Sequence, residues 1–119
     1  MMPKRILIAE DEQGSRELIT IYARNHGYEV VAVIDGVDLL TKVAAERFDL
    51  IITDLIMPEL NGASATEIMK LQDNTTPVIA LTGLSPQEVS VVQDKFTKIY
   101  YKPCNYKDLF EYIESLIGK

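Results

Sequence analysis

The chain has 119 residues, 47% of them hydrophobic and 25% charged, and its twelve Lys and Arg against eighteen Asp and Glu give a net charge of −6. That length fits one domain rather than two, and the acidic balance argues against a nonspecific nucleic-acid binder, which needs a basic stripe. The lone Cys104 excludes an internal disulfide or a cysteine metal cluster, and no apolar run approaches the roughly 18 residues of a membrane span. The opening Met-Met-Pro-Lys-Arg-Ile leads into an apolar run too short for a signal peptide. The chain reads as soluble, reduced and cytoplasmic.

Short apolar, largely β-branched runs at Arg5–Ala9, Glu29–Val33, Leu50–Thr53, Val78–Thr82 and Lys98–Tyr101 predict five buried strands. Between them lie stretches of helical spacing with start signals. After the first strand, Leu18, Ile19, Tyr22 and Ala23 form a stripe that ends at His26-Gly27, where Gly27 suits the position just past a helix. His26, the only histidine, suits the negative end of that helix rather than a phosphohistidine role. Asp35 caps a second helix carrying Leu39, Leu40, Val43 and Ala44, and Asn61 or Gly62 opens a third that closes near Asp73-Asn74. Ser85-Pro86-Gln87-Glu88 is the strongest local signal in the chain: a capping Ser, Pro at the first helical position and Glu three residues after the cap. Asn105 repeats that logic before Leu109, Phe110, Ile113 and Leu116-Ile117.

Five strand–helix units with no linker imply a single α/β domain, a three-layer (βα)5 doubly wound parallel sheet with helices on both faces. Ligands of such sheets sit beyond the carboxyl ends of the strands. Those ends carry Glu10, Asp11 and Glu12 after the first strand, Asp54 after the third, Thr82 closing the fourth and Lys102-Pro103 after the fifth. Two unit charges about 4 Å apart repel by roughly 4 kcal/mol at an effective dielectric of 20, so converging carboxylates require raised pKa values or a cation. An oxygen-only donor set selects a hard cation, with Mg2+ the usual choice. Glu10, Asp11 and Asp54 at −3 would be balanced by Mg2+ and Lys102 at +3.

The stretches Ile6-Leu7-Ile8-Ala9-Glu10-Asp11-Glu12, Asp54-Leu55-Ile56-Met57-Pro58-Glu59-Leu60-Asn61-Gly62, Ala80-Leu81-Thr82-Gly83 and Tyr101-Lys102-Pro103 resemble the receiver domain of two-component response regulators, the CheY-like family, over the whole of residues 1–119. The resemblance implies a flavodoxin/CheY-like fold with strand order 2-1-3-4-5 and a cis peptide between Lys102 and Pro103. It implies Asp54 as the phosphoacceptor, charged by a histidine kinase or phosphotransfer protein in a phosphorelay. It implies Mg2+ (or Mn2+) held by Asp54, Asp11, Glu10 and the backbone carbonyl of Ile56, with Thr82 and Lys102 on phosphoryl oxygens. The switching element it implies spans Ser85–Gln93, the fifth strand and the last helix, and this face would meet a downstream partner, without direct nucleic-acid or membrane contact. A stand-alone receiver without an effector domain and one cut from a longer regulator both remain open, as does a phosphorylation-dependent homodimer.

Four single positions and one segment stand out against the family pattern. Ile99 stands where members commonly carry Tyr or Phe, so either Ile99 repacks without a ring or Tyr101 takes an altered part. The segment Gln93–Lys98 lacks the Gly-Ala-Asp-Asp run often seen there, which weakens a winged-helix-type dimer. Ile56 and Leu84, two residues after Asp54 and Thr82, cannot orient an attacking water, which predicts slow self-dephosphorylation. Cys104 replaces a common Phe and reads as a small, partly buried residue. Two other functions compete. A Mg2+-dependent aspartyl-phosphate phosphohydrolase needs a general acid at Ile56, and a flavodoxin-like cofactor binder needs an anion-receptive first loop that Glu10-Asp11-Glu12 would repel.

Overall fold

The computed structural model describes residues 2–119. All five strands occupy the predicted ranges: β1 Arg5–Ala9, β2 Glu29–Val33, β3 Leu50–Thr53, β4 Val78–Thr82 and β5 Lys98–Tyr101. They form one parallel sheet in the order β2-β1-β3-β4-β5. The helices are α1 Gln13–Asn25, α2 Gly36–Ala45, α3 Gly62–Leu71, α4 Pro86–Val89 and α5 Tyr106–Ile117.

Strand side chains alternate between faces, and this period of two divides the core. Leu7, Ala9, Ile51, Val78 and Ala80 face Leu39 of α2 and Ala65 and Met69 of α3. Ile6, Ile8, Leu50, Ile52, Ile79 and Leu81 face Ile19 and Ala23 of α1 and Leu109, Phe110 and Ile113 of α5. The central strands β1, β3 and β4 are buried on both faces, which is why they read as continuous apolar runs.

Four of the five helices start at a side chain named by the sequence reading: Asp35 accepts from Asp38 N, Asn61 from Ser64 N, Ser85 from Glu88 N and Asn105 from Asp108 N. Glu12 caps α1 by accepting from Gly14 N and Ser15 N. His26 ends α1; its Nδ1 lies 2.8 Å from Tyr22 O and its ring stacks on Phe110 at 5.2 Å.

The departure lies at α4. Its capping box forms in full, yet the α-helix stops after four residues. From there Ser90 N bonds Gln87 O, Val92 N bonds Val89 O, Lys95 N bonds Val92 O and Phe96 N bonds Gln93 O, all to the third residue back rather than the fourth. Gln93–Lys95 is a 3₁₀ turn. Val89 and Phe96 still reach the core, whereas Val91 is 82% exposed. Two residues of α3 grip the 3₁₀ turn: Lys95 Nζ lies 3.4 Å from Glu67 Oε1, and the Lys70 ammonium donates to the Lys95 carbonyl.

Candidate functional site

The carboxyl ends of β1 and β3 are locked together. Asp54 N donates to Ala9 O at 3.0 Å, and Glu10 N donates to Val33 O at 3.0 Å. Glu10 and Asp54 thereby leave neighbouring strands side by side, with Asp11 one residue further on. One carboxylate oxygen from each of Glu10, Asp11 and Asp54 lies within 4.8 Å of the others. Lys102 enters from the end of β5, where its Nζ donates to Glu10 Oε1 at 2.5 Å and to Asp54 Oδ2 at 3.0 Å. The Lys102–Pro103 peptide is cis, as the resemblance implied.

Glu10 is only 2% exposed. Burial pushes its carboxyl above the ordinary range, and the nearby Asp54 charge adds to this, while the hydrogen bond from Lys102 opposes both. For Lys102, burial disfavours the ammonium, but bonds and charges from Glu10 and Asp54 outweigh it and raise its pKa. The remaining charge is −2, because one ammonium faces three carboxylates, and the Asp11 carboxylate accepts no hydrogen bond from the described residues. A divalent hard cation matches that donor set in charge and in ligand type.

Asp54 is held from several sides. Its Oδ1 accepts from Ile56 N at 3.2 Å, and its carbonyl accepts from Thr53 Oγ1 at 2.9 Å. A Cβ on Gly62 would stand 2.0 Å from the Asp54 carbonyl oxygen and 2.8 Å from Thr53 Oγ1, so only glycine fits there. Neither Thr53 nor the steric need at Gly62 was evident beforehand, although Gly62 closes the Asp54–Gly62 motif. The Ile56 side chain is 61% exposed. With Leu55, Met57, Asn61, Ala63, Leu84, Glu88 and Val92 it lines an apolar groove of about 330 Å³ beside the acidic cluster.

Thr82 is fully buried, and its Oγ1 accepts from Leu84 N at 3.1 Å. Its carbonyl accepts from Lys102 N at 2.7 Å, which joins the hydroxyl-bearing strand end to the lysine-bearing one. Tyr101 stands opposite Thr82 in the register, and both Ile99 and Tyr101 pack on the α3 side of the sheet. Ile99 stands opposite Ala80 without a ring, and Tyr101 is the aromatic paired with Thr82 in the strand register. Cys104 is half-buried, and burial pushes its thiol up, away from reactivity.

A five-stranded parallel sheet with an acidic, lysine-bridged hollow at its carboxyl edge defines a flavodoxin-like α/β domain. The family model of the response regulator receiver domain matches residues 6–114, and the chain belongs to that family. It is 35% identical over 106 residues to transcription factor SKN7 of Saccharomyces cerevisiae, covering 87% of this chain and 17% of that protein. It is 33% identical over 94 residues to the CAI-1 autoinducer sensor kinase/phosphatase CqsS of Vibrio cholerae, covering 76% of this chain and 14% of that one. The chain thus spans well under a quarter of the length of these relatives. The receiver domain of sensor histidine kinase PA1611 from Pseudomonas aeruginosa, whose structure has a magnesium ion coordinated in the active-site cleft, superposes with a TM-score of 0.91 at 30% identity, covering 99% of this chain and 100% of that one. Chemotaxis response regulator CheY4 of Vibrio cholerae superposes at 0.88 and 27% identity, covering 97% and 99% of the two chains. The domain is a phosphorelay receiver, a module of signalling proteins, and among its described residues no helix is long and apolar enough to cross a membrane.

Proposed function

We propose that Asp54 is the phosphoacceptor of this receiver and that Glu10, Asp11, Thr82 and Lys102 serve the transfer. The observation that carries this reading is the lysine bridge: one ammonium bonds both Glu10 and Asp54 while three carboxylates converge within 4.8 Å. A carboxylate oxygen of Asp54 attacks the phosphorus of a phosphohistidine on a histidine kinase or phosphotransfer protein. The new P–O bond forms as the P–N bond breaks, and the imidazole nitrogen leaves with the electron pair. Lys102 turns from the carboxylates towards an equatorial phosphoryl oxygen, and the Thr82 hydroxyl donates to another. Magnesium, or manganese in its place, fits Glu10, Asp11, Asp54 and the backbone carbonyl of Ile56, and when bound it supplies neutralising charge for the phosphoryl oxygens.

The product is an acyl phosphate, which water hydrolyses, so the domain catalyses its own charging and discharging and nothing else. Re-aiming the Thr82 hydroxyl gives up the bond from Leu84 N, and this couples Asp54 to α4, the 3₁₀ turn, β5 and α5, the face that would meet a downstream protein partner. The free thiol of Cys104 is in keeping with a reducing, cytoplasmic setting for this exchange. Incubation with magnesium and a small acyl-phosphate donor should add one phosphoryl mass to the chain, and Asp54→Asn should stay unmodified. Labelling of Asp54→Asn to the same extent would overturn the assignment.

A further inference from the structure

We propose that Arg16 is a positioning residue that sets the metal-binding loop by bracing its backbone, an inference that rests on the metal site of the preceding section. Its Nη1 donates to two successive carbonyls, Glu10 O at 3.0 Å and Asp11 O at 3.2 Å. The placement is electrostatically costly. Arg16 lies in the second turn of α1, near the helix end that repels cations, and beside a hollow meant for a cation. Acidic neighbours Glu10, Asp11, Glu12 and Glu17 surround it in sequence, yet among the described residues its guanidinium forms no ion pair. Arg16 is a half-buried residue, and its guanidinium is directed at main-chain oxygens instead.

What this brace controls is Asp11. Glu10 is fixed by burial and by Lys102, and Asp54 by Lys102 and Ile56 N. The exposed Asp11 carboxylate has no side-chain bond of its own, so the peptide it stands on decides where it points. Holding the carbonyls on both sides of the Asp11 Cα limits rotation of that unit. A group behind a ligand, rather than a ligand, often sets metal affinity in this way.

Two effects of removing Arg16 have opposite signs. Loss of a nearby positive charge alone strengthens cation binding. Loss of the brace weakens it. In Arg16→Ala the magnesium dissociation constant, read by isothermal titration calorimetry, should rise about tenfold, the low end for losing a group behind a ligand. Arg16→Lys, which keeps the charge and one donor, should recover most of that loss. Arg24→Ala, the same charge change in the last turn of α1, should leave affinity unchanged. Without metal, amide exchange at Glu12, whose N–H donates to Glu10 Oε2 at 3.3 Å, should speed up in Arg16→Ala while the β1 and β3 amides keep their protection. Unchanged or tighter magnesium binding in Arg16→Ala, or unchanged Glu12 exchange, would overturn the brace. Failure of the parent chain to bind magnesium would instead sink the metal reading, and the exchange arm would still judge the brace.

Discussion

Helices α3 and α4 flank the same sheet face and open in the same way, yet one runs ten residues and the other four. The shorter has the better start: Ser85 and Glu88 complete a capping box with Pro86 behind the cap, against a single Asn61 bond for α3. What differs lies downstream. In α3, Gly62, Ala65, Thr66 and Met69 are all buried, so each added turn gains packing. In α4 the next residues are Ser90, Val91 and Val92, weak helix formers with one valine pointing into water. A cap fixes where a helix begins, and packing and propensity decide how far it goes. The functional result is asymmetric. Asp54 sits on the rigid side against Gly62, and Thr82 sits on the side whose following segment is loosely wound.

The largest test of this asymmetry is a pair of glycines. Gly62→Ala should lose roughly 3 kcal/mol by urea denaturation, because its Cβ would overlap the Asp54 carbonyl, and acyl-phosphate labelling of Asp54 should slow with it. Gly83→Ala, whose Cβ meets nothing within 4 Å, should be neutral or gain up to about 1 kcal/mol. Equal losses at both positions would erase the distinction. Next comes Ile56→Asn, which places a polar group at the groove edge beside Asp54. Loss of the phosphoryl group, followed by mass, should accelerate about three- to tenfold, or roughly 1 kcal/mol in barrier; an unchanged or slower rate would show that the residue is not what retards hydrolysis. Cutting the α3 grip with Glu67→Ala should raise amide exchange across Gln93–Phe96 while global stability falls by only about 0.5 kcal/mol, as for exposed ion pairs generally. The smallest effect is Val91→Ala, an exposed β-branched residue replaced by the best helix former. It should add about 0.5 kcal/mol of helix preference and extend protection past Val89, visible by exchange and circular dichroism.

The same contrast explains what could be read from the amino acids alone. The limits of β1, β3 and β4 were legible because strands buried on both faces must be apolar nearly from end to end, and turn residues cut them off. Glu10, Asp11, Asp54, Thr82 and Lys102 were legible because parallel topology sends every strand end to one rim. The length of α4 was not, since its capping residues speak only for the first turn. The roles of Arg16, Thr53 and Gly62 were hidden for a different reason. Each acts on a main-chain carbonyl, and carbonyls carry no letter in a sequence. The amide of Ile56 belongs with them: its N–H is bonded to Asp54 Oδ1, a main-chain contact that the residue's own letter does not disclose.

The bond from Lys102 N to the Thr82 carbonyl bears on how the proposed phosphorylation of Asp54 would be passed on. It ties the main chain of the threonine to β5, so a Thr82 that serves a phosphoryl group, as proposed above, would answer first by changing the rotamer of its hydroxyl, a rotation of about a third of a turn. The group that loses its partner in that rotation is the amide of Leu84.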